Sequence, residues 1–139
     1  MKKYLFLLIT SLFILGCSNS ENSNTNPNIP NYSFSFDLNM NLPTYSTLKF
    51  PSNAIYYANA GAKGVIVFST GSGYNAFDAA CPNQEISSCS TMTIKGINAL
   101  CGCDNKEYNL FTGQATTAAT YTMKQYRVQV NGDVLRIYN

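Results

Sequence analysis

The chain has 139 residues, of which 45% are hydrophobic and 12% are charged, and it contains five cysteines and no histidine. The length suits one ordinary domain. Without histidine the chain has no Ser-His-Asp or Cys-His catalytic pair, no His-ligated metal, and no side chain whose ordinary pKa lies near neutrality.

The first 16 residues predict a secretory signal. Lys2 and Lys3 precede an apolar run over residues 4–15, which is too short to span a bilayer. The run ends in Ile14-Leu15-Gly16-Cys17, and an apolar residue followed by Gly and Cys resembles the lipobox of bacterial lipoproteins. This resemblance implies cleavage before Cys17 and lipidation of that cysteine. The alternative is a buried N-terminal helix with a chance cysteine.

Removal of residues 1–16 would leave 123 residues with seven basic and seven acidic side chains, so the mature net charge is zero. Nucleic acid is not an expected partner, because no clustered basic face remains. Acyl chains on Cys17 would anchor the protein to a membrane. We therefore expect a lipid-anchored domain in the cell envelope, outside the cytoplasm. Ser18, in place of Asp, favours the outer membrane by resemblance to enterobacterial sorting rules.

Residues 17–31 are predicted to form a flexible tether between the lipid and the domain. Six of these fifteen residues are Asn, three are Ser and two are Pro. With so little apolar surface to bury, the segment is not expected to recover the entropy lost on ordering.

The domain is expected to begin at residue 32, where a long strand starts. Apolar side chains from Tyr32 to Leu42 alternate with polar ones, which predicts a strand with one buried face. Residues 64–68 form an apolar run that predicts a central strand. Gly71-Ser72-Gly73 then turns the chain into residues 74–78, which predicts a hairpin.

The C-terminal end predicts a second hairpin. Apolar residues alternate before and after Asn131-Gly132, a pair able to form a two-residue turn with positive φ. No segment has a sustained 3.6-residue apolar period. The domain over residues 32–139 is therefore expected to be all-β.

Four cysteines lie within 23 residues in the middle of the domain: Cys81, Cys89, Cys101 and Cys103. An even number of thiols in an exported chain is typical of disulfides. Four cysteines permit three pairings, and spacing alone does not select one. A bridge across the short span from Cys101 to Cys103 is expected to be strained.

Two cysteine-containing segments resemble the loops of a Rieske iron–sulfur domain: Ala80-Cys81-Pro82-Asn83, and the run from Cys101-Gly102-Cys103-Asp104 to Gly113. Cys81 and Cys101 fall on the cysteine ligands, Tyr108 on a family aromatic and Gly113 on a family glycine. The closing hairpin also resembles the family pattern. The resemblance implies an antiparallel β-sandwich with a small two-loop subdomain at about residues 79–113.

The chain departs from the family at both histidine ligands. Asn83 stands at the first histidine position and Asp104 at the second. Two histidines bind one iron of a Rieske centre, and an amide and a carboxylate are poor replacements. We therefore interpret the chain as a degenerate member for which no cofactor is expected.

The resemblance also implies a disulfide pairing. The second cysteine of the family motif C-P-C forms a disulfide in some members, and Cys103 and Cys89 occupy comparable places. Cys81 and Cys101 would otherwise bind one iron, so their sulfurs should be close enough to form a second bond. The implied pairs are Cys81 with Cys101 and Cys89 with Cys103.

The predicted function is therefore structural or in interaction with an unidentified protein partner, and not enzymatic. The main alternative is a 2Fe–2S electron-transfer protein that uses Cys81 and Cys101 as metal ligands. A zinc site and a thiol–disulfide oxidoreductase are less favoured, because the spacing lacks C-x-x-C pairs. Acid–base chemistry by the candidate carboxylates Asp78, Glu85, Asp104 and Glu107 is also less favoured, because solvated surface charge is the commoner role of carboxylates on polar loops.

Overall fold

The computed structural model describes residues 25–139. The predicted signal over residues 1–16, the predicted lipidation site Cys17 and residues 18–24 of the predicted tether lie outside the described residues. Within residues 25–139, no helix is both long enough and apolar enough to cross a membrane.

Strands are almost the only regular secondary structure among the described residues, as predicted. The only helical element among the described residues is a short 3-10 helix, Ser46–Lys49. Nine strands occur in this order: β1 (Ser35–Asn39), β2 (Ala54–Tyr57), β3 (Val65–Ser69), β4 (Tyr74–Asp78), β5 (Thr93–Lys95), β6 (Asn98–Leu100), β7 (Glu107–Asn109), β8 (Gln125–Asn131) and β9 (Val134–Tyr138).

Six strands form a large antiparallel sheet in the order β1-β9-β8-β4-β3-β2. Strand β8 joins its two halves. Tyr126 and Gln125 pair with β4, whereas residues 127–131 pair with β9. Because the first part of β8 pairs with β4 and the rest pairs with β9, the sheet can curl into the two layers of a sandwich.

The predicted central strand β3 is buried on both faces. Val65 and Val67 pack into one apolar cluster, and Ile66 and Phe68 pack into another. Successive side chains of a strand point to opposite faces, so a strand between two cores needs a continuous apolar run. The first cluster, here the base core, includes Leu38, Met40, Leu48, Ala76, Tyr126, Leu135 and Ile137. The second, here the loop core, includes Phe77, Ala79, Cys81, Met92, Ala99, Cys101, Tyr108, Leu110 and Met123.

The loop region contains a second sheet that the sequence did not predict. It has the order β5-β6-β7, and each strand has three residues. Three residues are too few to establish an alternating pattern. The four-residue strand β2 was missed for the same reason.

Strand β1 is shorter than the predicted run from Tyr32 to Leu42. Its hydrogen-bonded part covers Ser35–Asn39, although Phe36, Leu38 and Met40 keep the predicted inward alternation. Leu42 is 50% exposed, because the backbone turns after Asn39. The alternating pattern therefore extends beyond the strand itself.

The two predicted hairpins are present, with one shift. Ser69 pairs with Tyr74 in the first. In the second, Asn131 pairs with Val134, so the turn residues are Gly132 and Asp133, one position later than predicted. Gly132 has a φ of 60°, and glycine at the first turn position suits the twist of paired strands.

Residues 25–31 differ from the predicted tether, because they pack against the domain. The Asn26 side chain is buried, and its Nδ2 donates to the Pro82 carbonyl at 2.7 Å. Asn28 Nδ2 donates to the same carbonyl at 2.9 Å, and Ile29 is only 3% exposed. The composition of this segment indicated few apolar groups. It could not show that the amides of Asn26 and Asn28 would donate to the carbonyl of Pro82, in a loop distant in sequence.

Lys124 also holds this segment in place. Its Nζ donates to the Pro30 carbonyl at 3.1 Å and to Asn31 Oδ1 at 2.9 Å. Burial lowers the pKa of Lys124, and the nearby Asp78 carboxylate opposes that shift. The ordered part of the chain therefore includes residues before the predicted boundary at residue 32.

We expect the domain to lose stability on acidification below about pH 4. Hydrogen bonds lower the pKa of three carboxyls: exposed Asp37 beside Arg136, half-buried Glu107 beside Lys95, and exposed Asp133 beside Asn41 and Lys49. A folded-state pKa below the unfolded value gives stability that is present at neutral pH and is lost as pH falls. Urea denaturation at pH 6 and pH 3 measures the loss, and Asp37→Asn should make it smaller. An increase in stability towards pH 3 would contradict the assignment.

Candidate functional site: a four-cysteine cluster in the loop subdomain

Four cysteines meet in the loop subdomain as two disulfides. Cys81 is bonded to Cys101, with their Cα atoms 5.5 Å apart. Cys89 is bonded to Cys103, with their Cα atoms 5.0 Å apart. These are the pairs that the sequence resemblance implied. The first disulfide is fully buried, whereas Cys89 is exposed and Cys103 is half-buried.

Backbone hydrogen bonds place the first cysteine. Cys81 lies three residues beyond the end of β4, and its N–H donates to the Ser90 carbonyl at 2.7 Å. Ala80 forms an isolated antiparallel bridge with Thr91. These contacts fold the segment that contains Cys89 back onto the segment that contains Cys81.

The second cysteine segment is a tight turn. Cys101 N–H donates to the Lys106 carbonyl at 2.9 Å, and Asn105 N–H donates back to the Cys101 carbonyl at 3.0 Å. Asn105 has a φ of 58°, a conformation that Asn tolerates better than most residues. A Cβ on Gly102 would lie 3.0 Å from the Cys89 carbonyl oxygen, so the glycine permits the close approach of Cys89 to this turn.

The side-chain amide of Asn83 joins its own loop to two other segments through four hydrogen bonds. Its Nδ2 donates to Tyr108 Oη at 2.9 Å and to the Tyr121 carbonyl at 2.8 Å. Its Oδ1 accepts from the N–H groups of Thr120 at 3.1 Å and Tyr121 at 2.9 Å. Both donor hydrogens and both acceptor positions of the amide are therefore used within the protein.

Asp104 also makes contacts within the chain. Its Oδ2 accepts from Gln84 Nε2 at 2.9 Å, which joins the second loop to the first. Its Oδ1 accepts from the Lys106 N–H at 3.0 Å, an arrangement typical of an Asx turn. Asp104 therefore shapes its own loop and binds the neighbouring one.

Solved structures share this arrangement of strands. The chain superposes on a cyanobacterial plasma-membrane Rieske protein from Synechocystis PCC 6803 with a TM-score of 0.53 and 23% identity, over 68% of this chain and 93% of that one. The described domain has a Rieske-like fold.

Other comparisons are more distant. The ferredoxin of carbazole 1,9a-dioxygenase from Nocardioides aromaticivorans IC177 matches with a TM-score of 0.46 and 16% identity, over 63% of this chain and 86% of that one. No protein-family model matches the sequence, and no curated protein matches it.

Two further residues of the sequence resemblance lie in the loop core of the Rieske-like domain or directly against it. Tyr108 is fully buried on β7, and burial raises the pKa of its hydroxyl, which accepts the Asn83 hydrogen bond. Gly113 has a φ of 73°, and a Cβ there would lie 2.8 Å from the Phe77 ring. Glycine is needed at this position for both conformation and space.

The residues present do not fit an ordinary Rieske cluster. Such a centre has two histidines on one iron, and the chain contains none. Cys81 and Cys101 would be free to bind iron only after their disulfide is reduced. The Sγ atoms of Cys81, Cys101 and Cys103 lie within 4.8 Å of one another, so sulfurs from both disulfides are close together in the loop subdomain.

The two second-loop carboxylates considered for acid–base chemistry have separate partners. Glu107 forms an ion pair with Lys95, and its Oε2 accepts from Asn98 Nδ2 at 2.9 Å. Asp104 instead contacts Gln84 and its own loop. Among residues 25–139, Asp104 and Glu107 therefore have no shared side-chain partner that would couple them as an acid–base pair.

The sequence indicated Asp78 only as a candidate carboxylate with solvated surface charge, and the structure instead places it at a structural centre. It is fully buried, and it accepts from the N–H groups of Ala62 at 2.6 Å and Ala80 at 2.7 Å. It also accepts from Lys63 N–H at 3.3 Å and from Tyr126 Oη at 2.6 Å. The donors come from three separate segments, so no local motif reveals the role of this carboxylate.

We expect Asn83→Ala to destabilise the domain by about 2 kcal/mol, because it removes the partners of a buried hydroxyl and of two backbone N–H groups. Hydrogen exchange at the Thr120 and Tyr121 amides should accelerate in the variant. Gln84→Ala is the matched control, since it removes one hydrogen bond from the same loop and should cost less than about 1 kcal/mol. Equal losses of unfolding free energy in the two variants would contradict the proposed stabilising role of the Asn83 hydrogen bonds.

Proposed function

We propose that the protein is a lipoprotein of the bacterial cell envelope whose Rieske-like domain has a structural or interaction role and binds no 2Fe–2S cluster. The observation that supports this most directly is the use of Asn83 and Asp104. Their polar atoms bind other parts of the protein, and their neighbours Cys81 and Cys101 are bonded to each other.

The two disulfides replace the organising effect that a cluster would have on these loops. Each one links the first cysteine segment to the second, across separations of 20 and 14 residues. The resulting domain needs no metal to hold its loops together, which suits a scaffold for contact with a partner protein. We propose no enzymatic activity for it.

The anchor is proposed from the signal pattern and from Cys17. Residues 25–31 pack on the domain, and residues 18–24 lie between them and the proposed lipidation site Cys17 in the sequence. The extended chain spans at most about 3.5 Å per residue, so the domain would stay within about 30 Å of the lipid. Since Asn26 contacts Pro82, the chain would enter the domain beside its first cysteine loop. The outer membrane is the proposed location.

Iron analysis tests the absence of a cluster. The purified protein, prepared with and without air, should show no stoichiometric iron and no visible absorption band. The matched control is Cys81→Ser with Cys101→Ser, in which any adventitious iron would persist. Iron that is present in the natural chain and lost in the variant would overturn the proposal and support an electron-transfer role.

Mass spectrometry of protein extracted from membranes tests the anchor. The expected N-terminal residue is Cys17 carrying diacylglycerol and an amide-linked acyl chain. Cys17→Ser should remove the lipid and the membrane association together. An unmodified N-terminus, or processing at another residue, would contradict the lipoprotein assignment.

A further inference from the structure

The two disulfides are close enough to exchange partners. Sγ of Cys103 lies within 4.8 Å of Sγ of both Cys81 and Cys101, which belong to the other disulfide. Cys89 lies outside this group of three sulfurs. Cys103 is therefore the member of the outer disulfide that can reach the inner one.

Exposure differs between the two disulfides. The Cys81–Cys101 bond is fully buried, so an external thiol cannot reach it in the folded domain. Cys89 is exposed, and Cys103 is half-buried. Ser87 Oγ lies 3.3 Å from Cys89 Sγ and 3.7 Å from Cys103 Sγ, close to both sulfurs of the outer bond. Its hydroxyl can donate to a thiolate released there, which favours departure of that sulfur.

We propose that the four cysteines form a thiol–disulfide relay that accepts electrons from a partner dithiol and passes them to the buried disulfide through Cys103. This goes beyond the proposed structural role and rests on it in one respect, because the cysteines must be free of metal. It does not depend on the lipid anchor.

The first exchange takes place at the surface. A thiolate of the partner dithiol attacks Cys89 Sγ, the bond to Cys103 breaks, and its electron pair stays on Cys103. The partner's second thiolate then attacks the partner sulfur of the mixed disulfide. Cys89 leaves and takes up a proton, and the partner departs as a disulfide. Two electrons have passed from the partner to the protein.

The second exchange is internal and has no net oxidation or reduction. The Cys103 thiolate attacks Cys81 Sγ, the Cys81–Cys101 bond breaks, and Cys101 takes the electron pair and a proton. Attack on Cys101 would instead form the short Cys101–Cys103 bridge, which is strained. The product contains a Cys81–Cys103 disulfide with thiols at Cys89 and Cys101. A second dithiol can then reduce this bond at half-buried Cys103.

Limited reduction tests the relay on the full chain. Non-reducing peptide mapping first establishes that both disulfides are present; four free thiols at this stage would contradict the proposed function as well. One equivalent of dithiothreitol is then added, and the sample is quenched in acid and alkylated. The relay predicts alkylation at Cys89 and Cys101 with a Cys81–Cys103 disulfide. Alkylation at Cys89 and Cys103, with the inner disulfide intact, would overturn the relay alone.

Two single substitutions form a matched pair, since each removes the outer disulfide and leaves one thiol. In Cys89→Ser the remaining Cys103 should exchange with the inner bond, giving a detectable Cys81–Cys103 species. In Cys103→Ser the remaining Cys89 should stay free. Reduction of the inner bond by excess dithiothreitol should be at least about tenfold slower in Cys103→Ser than in the natural chain, because it then requires local opening. The same connectivity and the same rate in both variants would exclude Cys103 as the relay.

Discussion

Replacing Asp78 with alanine should lower the free energy of unfolding by about 4 kcal/mol, which would make it one of the most destabilising single changes in the domain. The carboxylate is fully buried and accepts four hydrogen bonds. Its removal leaves the Tyr126 hydroxyl and the N–H groups of the neighbouring loop without partners. Each unsatisfied buried donor costs about 1–3 kcal/mol.

The Asp78 carboxylate joins parts of the fold that are distant in sequence. It binds the loop before β3 through Ala62 and Lys63, and it binds β8 through Tyr126. A Cβ on Gly61 would lie 2.6 Å from Asp78 Oδ2, so the loop is packed directly against the carboxylate. Asp78→Asn should also destabilise, because the amide would present N–H groups to other donors.

Urea denaturation followed by circular dichroism measures the effect of Asp78→Ala, since the chain has no tryptophan to report by fluorescence. Asp37→Ala is the matched control. Asp37 pairs with Arg136 on the surface, and ion pairs exposed to solvent contribute little to stability, so this loss should be much the smaller. Tyr126→Phe should fall between the two, because it removes one of the four donors. Equal losses in the Asp78 and Asp37 variants would contradict the proposed network.

The parts of the fold that the sequence predicted are those with local signals. The double-sided burial of β3 produces its continuous apolar run, and Gly132 marks the closing turn. The short strands β5, β6 and β7 give no such signal. Their pairing depends on the loop core, whose residues are distributed along the chain.

The sequence indicated the cysteine pairs but not the functions of the polar residues around them. The sequence predicts that Asn83 replaces a metal ligand, and this stays a prediction. Its contacts with Thr120 and Tyr121 span 37 and 38 residues, and no motif joins these positions. The packing of residues 25–31 was missed for a similar reason, because the Pro82 carbonyl that receives Asn26 lies 56 residues away.

Removing the buried disulfide should destabilise the domain more than removing the exposed one. The double substitution Cys89→Ala with Cys103→Ala should cost about 3 kcal/mol, by the entropy of loop closure. Cys81→Ala with Cys101→Ala should cost about 4–5 kcal/mol, because it adds a cavity in the loop core to a similar entropic loss. Urea denaturation of the two variants measures the difference.

The comparison isolates burial because the two disulfides close loops of similar size. Their sequence separations are 20 and 14 residues, and loop-closure entropy changes by only about 0.3 kcal/mol between these lengths. A larger loss from the exposed pair would show that the buried sulfurs contribute little to packing. We expect the larger loss from the buried pair because Cys81 and Cys101 lie among the side chains of the loop core. In a close-packed core, each lost sulfur leaves a cavity and removes its packing contacts.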